Sequence, residues 1–332
     1  MEFQRLGNSG LQVSRIIFGA AQISKDPKAD WQLNDEEEIM KLLKYAYDKV
    51  MRTIDTANVY ANGQSEELVG KFLKKYNIKR STVVILTKCY GRVNDDPDNA
   101  DEIKWVNRHG LSRKHIFDSV QDSVRRLGTY IDVLQIHRMD HSTSKTEIME
   151  ALHDVVKAGD VRYIGASSMR AVEFAQLQFI AEKHNWTKFI SMQGFYNLLY
   201  REEEREMNPY CDETGVGLIP WSPLAGGSLT RSYGDNKTAR SKRDNYRKSF
   251  GPADETITNR VEELAKKKGV TMAQLATAWS LAKGCAPILG MGTPARIDEA
   301  IESLKIKLTK EELEYLESPY LATRVIGFSA TD

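Results

Sequence analysis

The chain has 332 residues, 41% of them hydrophobic, enough to bury one large core as a single barrel-sized domain or as two smaller ones. Lysine and arginine number 47 against 46 aspartates and glutamates, a balance that excludes a global nucleic-acid or membrane-surface footprint. Three widely spaced cysteines, Cys89, Cys211 and Cys285, read as reduced thiols without metal-ligand spacing, and the absence of an apolar signal region or of any run near the ~20 residues of a membrane span points to a soluble, cytoplasmic protein.

Phe3 and Leu6 precede the turn Asn8-Ser9-Gly10, and Leu11 and Val13 follow it, which predicts a small hairpin over residues 1–13. From Ile16 the text becomes a series of strand-then-helix units. Ile16-Ile17-Phe18, closed by Gly19, is the first strand, and Asp35 to Lys49 carries Ile39, Leu42, Leu43, Ala46 and Val50 at helical spacing. Met51 to Ile54 is the second strand, and its helix starts at Ser65 with Glu66 and Glu67 where acids suit the helix dipole. Val83 to Leu86 is the third, ending Thr87-Lys88, and the polar stretch 91–110 is a long loop of the kind compact domains keep for function. A helix over about Ser112 to Leu127 leads to the fourth strand, Ile131 to Ile136, which ends on His137.

Ser144 with Glu147 forms a capping box for a helix through Ala158, and Val161 to Ile164 is the fifth strand, ending Gly165-Ala166-Ser167-Ser168. Phe174, Leu177, Phe179 and Ile180 mark the next helix, Phe189 to Gln193 the sixth strand, and Glu202 to Glu213 an acidic helix. Val216 to Trp221 is the seventh strand, closed by Ser222-Pro223. Helices over about Thr256 to Lys268 and Thr271 to Lys283, the strand Ala286 to Leu289 and a helix from Pro294 to Ser303 complete the series. Strands buried on both faces and each followed by a helix predict an α/β fold, a closed (β/α)8 TIM barrel formed by a single domain over residues 1–332. A doubly wound sheet is the alternative, but it requires a glycine-rich phosphate turn after the first strand, and Gly19-Ala20-Ala21-Gln22 does not supply one.

In a barrel the C-terminal ends of the strands face one mouth. The second strand brings Asp55, with Tyr60 in the loop beyond it, the third brings Lys88 and the fourth His137. Singly these residues have plain structural readings, as a loop cap, a solvated strand end and a core histidine. Jointly they suit donation of a proton to an oxygen gaining negative charge, as when a carbonyl accepts hydride. A phenol of ordinary pKa ~10 is a feeble acid at neutral pH. An ammonium at ~4 Å is worth roughly 4 kcal/mol at an effective dielectric of about 20, so Lys88 would make Tyr60 a better acid, with Asp55 keeping Lys88 charged and aimed. A neutral His137 would hold the substrate oxygen next to the tyrosine hydroxyl.

These residues, with Leu86-Thr87-Lys88 and Leu134-Gln135-Ile136-His137 around them, resemble the aldo-keto reductase superfamily, and the likeness covers nearly the whole chain. The most similar branch includes fungal aldehyde reductases, aryl-alcohol dehydrogenases and the potassium-channel β-subunits. No metal is implied, because neither Cys nor His clusters at ligand spacing, and the resemblance implies an NADPH (or NADH) cofactor bound without a Rossmann turn and Tyr60 as proton donor supported by Asp55, Lys88 and His137. It implies carboxamide contacts from Ser167, Ser168 and Gln193, with Ser168 standing where the family has asparagine, and an aromatic stack from Trp221. Ser222, Pro223, Leu224 and Gly226 would follow the pyrophosphate. Gly290, Gly292 and Thr293 would open a phosphate-binding helix, and Arg296 and Glu299 resemble the residues that read the 2′-phosphate and adenine. Ala61 stands where glycine is common, Thr293 where related chains often carry a basic residue, and Ala300 where many carry asparagine.

The segment from Ala225 to Phe250 holds seven cations, Arg231 among them, against two acids. It reads either as a solvated face or as part of a cofactor lid over about 225–255. Trp31, Tyr90 and Phe195 are candidates for an apolar substrate pocket or for ordinary packing. The implied activity is NADPH-dependent reduction of aldehydes or ketones, or its reverse, and the alternative is a nucleotide-sensing regulatory subunit like the channel β-subunits. The expected partner is a small carbonyl compound, with no nucleic acid and no membrane, and an oligomer is left open.

Overall fold

In the computed structural model, which describes residues 1–24, 32–94, 102–235 and 251–328, a short antiparallel hairpin precedes a parallel barrel. The hairpin pairs β1 (Phe3–Arg5) with β2 (Gln12–Ser14). The barrel strands are β3 (Ile17–Gly19), β4 (Thr53–Asp55), β5 (Val84–Cys89), β6 (Ile131–Ile136), β7 (Val161–Ser167), β8 (Phe189–Gln193), β9 (Gly217–Leu218) and β10 (Ile288–Leu289). They pair in parallel in the order β10-β3-β4-β5-β6-β7-β8-β9. Ala286 N donating to Leu218 O at 2.9 Å and Ile288 N to Pro220 O at 3.0 Å join the two ends, so the sheet closes. No described helix is long and apolar enough to cross a membrane.

Around the sheet lie α1 (Glu36–Asp48), α2 (Gln64–Lys75), α3 (Arg113–Leu127), α4 (Lys145–Lys157), α5 (Ala171–His184), α6 (Met207–Thr214), α7 (Asp254–Lys268), α8 (Met272–Ala282), α9 (Pro294–Glu302) and α10 (Lys310–Glu317). Their starts follow local chemistry. Asp35, Ser112, Thr271 and Thr309 accept from the backbone N–H three residues on, satisfying donors that have no partner inside the helix. The helix α10, with its Thr309 and Glu312 box, is an element the reading of the sequence passed over.

Other differences have local causes. The second barrel strand starts at Thr53, later than the Met51 expected, and ends on Asp55, which pairs within the ladder. Val50 lies outside α1 with φ +65°, where the chain turns toward β4. Phe179 is 66% exposed, because α5 turns it away from the core that holds Phe174 and Leu177. Only half of the Ser144 capping box forms, since Glu147 Oε1 accepts from Arg113 N instead. The acidic stretch opens as a 3-10 turn, Glu202–Glu204, and becomes α-helical only at Met207.

Leu6 and Val13 of the hairpin segment are wholly buried against Ile17, Leu86, Val133 and Ile219. Side chains alternate along a strand, so Leu86 and Val133 share a face with Lys88 and Gln135 two positions further on. An apolar plug therefore fills the lower barrel, and polar residues occupy the same face toward the C-terminal ends.

A buried ion pair holds the first turn of α2 in place. Glu66, completely buried, accepts from Arg126 Nε of α3 at 2.6 Å and from the Thr87 hydroxyl of β5. Replacing Arg126 by Met leaves that carboxylate without its cation, and urea unfolding should show a loss of about 3–5 kcal/mol. The matched change Lys71→Met, at an exposed pair with Glu36, should cost no more than ~1 kcal/mol.

Candidate active site

The loop after β4 is pinned before it delivers its tyrosine. Thr56 and Ser65 share a hydroxyl bond at 2.8 Å, and Asn58 Nδ2 donates to Gly91 O at 3.2 Å. Tyr60 begins a short 3-10 turn whose next residues, Ala61 and Asn62, have φ +48° and +56°. That left-handed backbone suits glycine, so the alanine that stands at position 61 adopts it with more strain. Asn62 in turn exchanges two hydrogen bonds with the backbone of Asn94, at 2.6 and 2.7 Å.

Lys88, at the end of β5, is completely buried, and its ammonium donates to Asp55 Oδ2 at 2.7 Å, Thr56 O at 2.7 Å and the Tyr60 hydroxyl at 3.1 Å. Burial works against the charge, but Asp55 and Tyr60 outweigh it and hold Lys88 above its ordinary pKa. The His137 ring lies edge-on to Tyr60, with centroids 6.1 Å apart. Burial, with Lys88 and Arg138 as neighbouring cations, pushes His137 well below its ordinary value, so the ring is neutral. The adjacent Cys89 thiol is pushed up to about 12 by burial, and all three cysteines are buried and unpaired by disulfide. Acid, phenol, ammonium and imidazole thus meet as the strand ends bring them together.

A second layer of contacts lies beneath Asp55. Its Oδ1 accepts from Gln193 Nε2 at 2.8 Å and from Gln135 Nε2 at 3.0 Å, and Gln193 Nε2 also donates to Gln135 Oε1 at 2.8 Å. Gln135 stands in the stretch Leu134-Gln135-Ile136-His137 but was given no role from the sequence, although its place two positions before His137 puts it on the inward face of β6.

The residues expected to hold the nucleotide form an arc from β7 to α9. Ser167 Oγ donates to Gln193 O at 2.9 Å, and Trp221 Nε1 donates to Ser168 Oγ at 3.0 Å. The indole stacks on Phe195 at 4.4 Å between centroids, and Phe195 stacks in turn on Tyr200 at 4.8 Å. After Trp221 the backbone is left-handed at Ser222, Ala225 and Gly226, which folds the Ser222-Pro223-Leu224 stretch tightly before the short turn Ala225–Thr230. Arg231 follows that turn, and residues 236–250 of the basic segment lie outside the described residues. Thr293 caps α9 by accepting from Arg296 N, and Arg296 is exposed one turn in. Glu299 accepts from the Thr271 hydroxyl at 2.6 Å.

One orphaned group supports a ligand here. Gln22 is buried, its Nε2 has no hydrogen-bond partner among the described residues, and its Oε1 lies so close that a Cβ on Gly290 or Gly292 would meet it at 3.3 or 3.7 Å. An unpaired buried amide beside a glycine turn at the start of α9 fits a nucleotide that supplies the missing acceptor. In the sequence Gln22 appears only as the end of the Gly19-Ala20-Ala21-Gln22 stretch, with no role of its own.

On the substrate side the expectations divide. Phe195 is completely buried between Trp221 and Tyr200, so it backs the indole and does not line an open pocket. Tyr90 is half-buried, with its ring against His109 at 4.7 Å. Trp31 lies outside the described residues. No group of three or more potential metal ligands is found among the described residues.

The model of the aldo/keto reductase family matches residues 15–320. A Schizosaccharomyces pombe protein that carries a provisional aryl-alcohol dehydrogenase name is 55% identical over 97% of this chain and 96% of its own length. The versiconal hemiacetal acetate reductase of Aspergillus parasiticus is 53% identical, with 97% of each chain covered. An aldo-keto reductase of Alternaria alternata is 48% identical over 98% of this chain and 94% of its own. With the barrel and the convergence of Asp55, Tyr60, Lys88 and His137, these likenesses show that the chain belongs to the aldo/keto reductase family, as an oxidoreductase of carbonyl and alcohol groups.

Proposed function

We propose that this protein uses NADPH to reduce aldehydes and ketones to alcohols and can run the reverse reaction, with aryl carbonyls as the first substrates to try because relatives carry aryl-alcohol names. The observation that carries the reading is the fully buried Lys88 ammonium, held between Asp55 at 2.7 Å and the Tyr60 hydroxyl at 3.1 Å. A bound nicotinamide would supply the hydride. Tyr60 gives its proton to the carbonyl oxygen as negative charge builds there, and Lys88 stabilises the phenolate left behind. Neutral His137 donates a hydrogen bond to the same oxygen and so aims it at Tyr60. Asp55 fixes Lys88 and balances its charge.

Trp221, backed by Phe195 and held through its Nε1 by Ser168, offers its ring as a stacking surface. Gln193 commits its Nε2 to Asp55 and Gln135, which leaves Oε1 as the atom to accept from a carboxamide, beside Ser167 and Ser168. Ser222, Pro223, Leu224, Gly226 and Arg231 would follow the pyrophosphate, with Gly290, Gly292, Thr293 and Gln22 at the far side. Selection of the phosphorylated nucleotide rests on Arg296, exposed in the first turn of α9, and on the basic segment after Arg231, with Glu299 toward the adenine.

Following NADPH absorbance with aromatic and aliphatic aldehydes tests the reaction. Tyr60→Phe should lower kcat/KM by roughly 10²–10⁴-fold, the usual worth of a positioned acid, and leave the NADPH dissociation constant unchanged. Tight NADPH binding without turnover of any aldehyde by the native protein would overturn the reading. Trp221→Ala should weaken NADPH binding itself, and an unchanged dissociation constant there would end the stacking assignment.

His137 adds a pH dependence with a defined sign. Its folded form resists protonation, so the unfolded chain takes up more protons below the ordinary histidine value of about 6.5, and native stability falls as pH drops through that point. In His137→Gln the fall between about pH 6.5 and 5 should be shallower, as read from urea midpoints across that range.

A further inference from the structure

We infer that Gln135 is a positioning residue for the reaction, tying the seat of the nicotinamide to the proton-donating pair through Asp55; this rests on the reductase reading above. Its side chain is completely buried, donates to Asp55 Oδ1 at 3.0 Å and accepts from Gln193 Nε2 at 2.8 Å. A carboxylate only accepts, so both amides must turn their nitrogens toward Asp55, and the one oxygen of Gln135 is then left to receive Gln193. The orientation of all three groups is thereby fixed by their chemistry.

The surrounding barrel is shaped for this amide. In register, Gln135 lies beside Lys88 on β5 and beside Gly165 on β7. A Cβ at Gly165 would collide with Ser191 Oγ at 2.4 Å and crowd Gln135 Cγ at 3.1 Å, so the glycine lets both side chains sit against that strand. The result is a chain of contacts that runs from Gln193 to Asp55 both directly and through Gln135, then to Lys88 and to the Tyr60 hydroxyl. Gln135 touches neither Lys88 nor Tyr60 by hydrogen bond. It acts on them by holding the far oxygen of the carboxylate on which Lys88 rests.

The test compares native protein, Gln135→Met and Gln135→Glu in steady-state reduction of benzaldehyde, with the NADPH dissociation constant and thermal midpoint measured for each. Gln135→Met keeps the length of the side chain and removes both polar contacts. It should lower kcat by roughly 10- to 100-fold, as misplacement of reacting groups does, while KM for the aldehyde and the NADPH dissociation constant stay at native values. Gln135→Glu carries the rescue. Beside Asp55 its protonated acid can donate as the amide does, whereas its ionised form repels the carboxylate. Its kcat relative to native should therefore be nearest to one at low pH and decline as pH rises. A kcat for Gln135→Met equal to native overturns the role, and so does a pH-independent loss in Gln135→Glu that follows only the thermal midpoint. A native protein that reduces no carbonyl removes the reductase reading and this role with it; a native enzyme that turns over alongside an equally active Gln135→Met removes the role alone.

Discussion

A completely buried ammonium is tolerable only where its charge is balanced and each of its donors is taken. Lys88 has three N–H groups, and the structure gives it three acceptors: a carboxylate, a backbone carbonyl and a phenol. Two of those acceptors come from Asp55, which ends β4, and Thr56, which follows it, and the third from the loop beyond. The position of Tyr60 is thus part of the solution to burying Lys88. Removing any acceptor leaves a charged donor facing protein instead of water, a far larger cost than losing an exposed hydrogen bond. The ladder of β4 and β5 and the turn that carries Tyr60 must all be formed before the lysine is satisfied.

That requirement explains the company around the site. Thr87, the neighbour of Lys88 on the opposite face of β5, donates to the buried Glu66, and Glu66 is held by Arg126. One face of the strand carries Lys88, with Asp55 and Tyr60 against it, into the barrel, and the other ties the strand to α2 and α3. Because α2 starts directly after the Tyr60 turn, the same ion pair fixes where that turn ends. Inside the barrel the Asp55 carboxylate is filled on both oxygens, Oδ2 by Lys88 and Oδ1 by two amides, so its direction is over-determined.

Much of this was legible in the sequence because the barrel repeats a simple unit. Apolar runs between helical stretches place Asp55, Lys88 and His137 at one rim, and residue types alone give the chemistry. What was not legible depends on directions of side chains across distant strands. Gln135 and Gln22 are ordinary amides in the text, and only pairing 58 residues away to Gln193, or burial beside a glycine turn at Gly290, gives them meaning. Phe195 read either as a pocket residue or as ordinary packing. Its ring fills the space between Trp221 and Tyr200, which sequence spacing cannot resolve because both outcomes bury an aromatic beside the same indole. The short extent of β9 and β10 has the same origin, since an apolar run reports burial more directly than ladder pairing.

The division of the barrel interior into an apolar floor and a polar upper layer sets the terms for the chemistry. Leu6 and Val13 close the lower end against Ile17, Leu86, Val133 and Ile219, an apolar layer beneath the polar one. From above, Trp221 stands on Phe195 as a rigid wall, with Ser168 fixing its edge. Burial of this kind strengthens electrostatic attraction at Lys88, and it keeps His137 neutral, able in the proposed reaction to donate without adding a competing charge. The same burial that makes the lysine hard to accommodate makes it effective once Asp55, Thr56 and Tyr60 have accommodated it. If Tyr60 is the proton donor proposed above, catalytic arrangement and structural necessity are one constraint at this position, because the residues that satisfy Lys88 are those that would prepare Tyr60 to give up its proton.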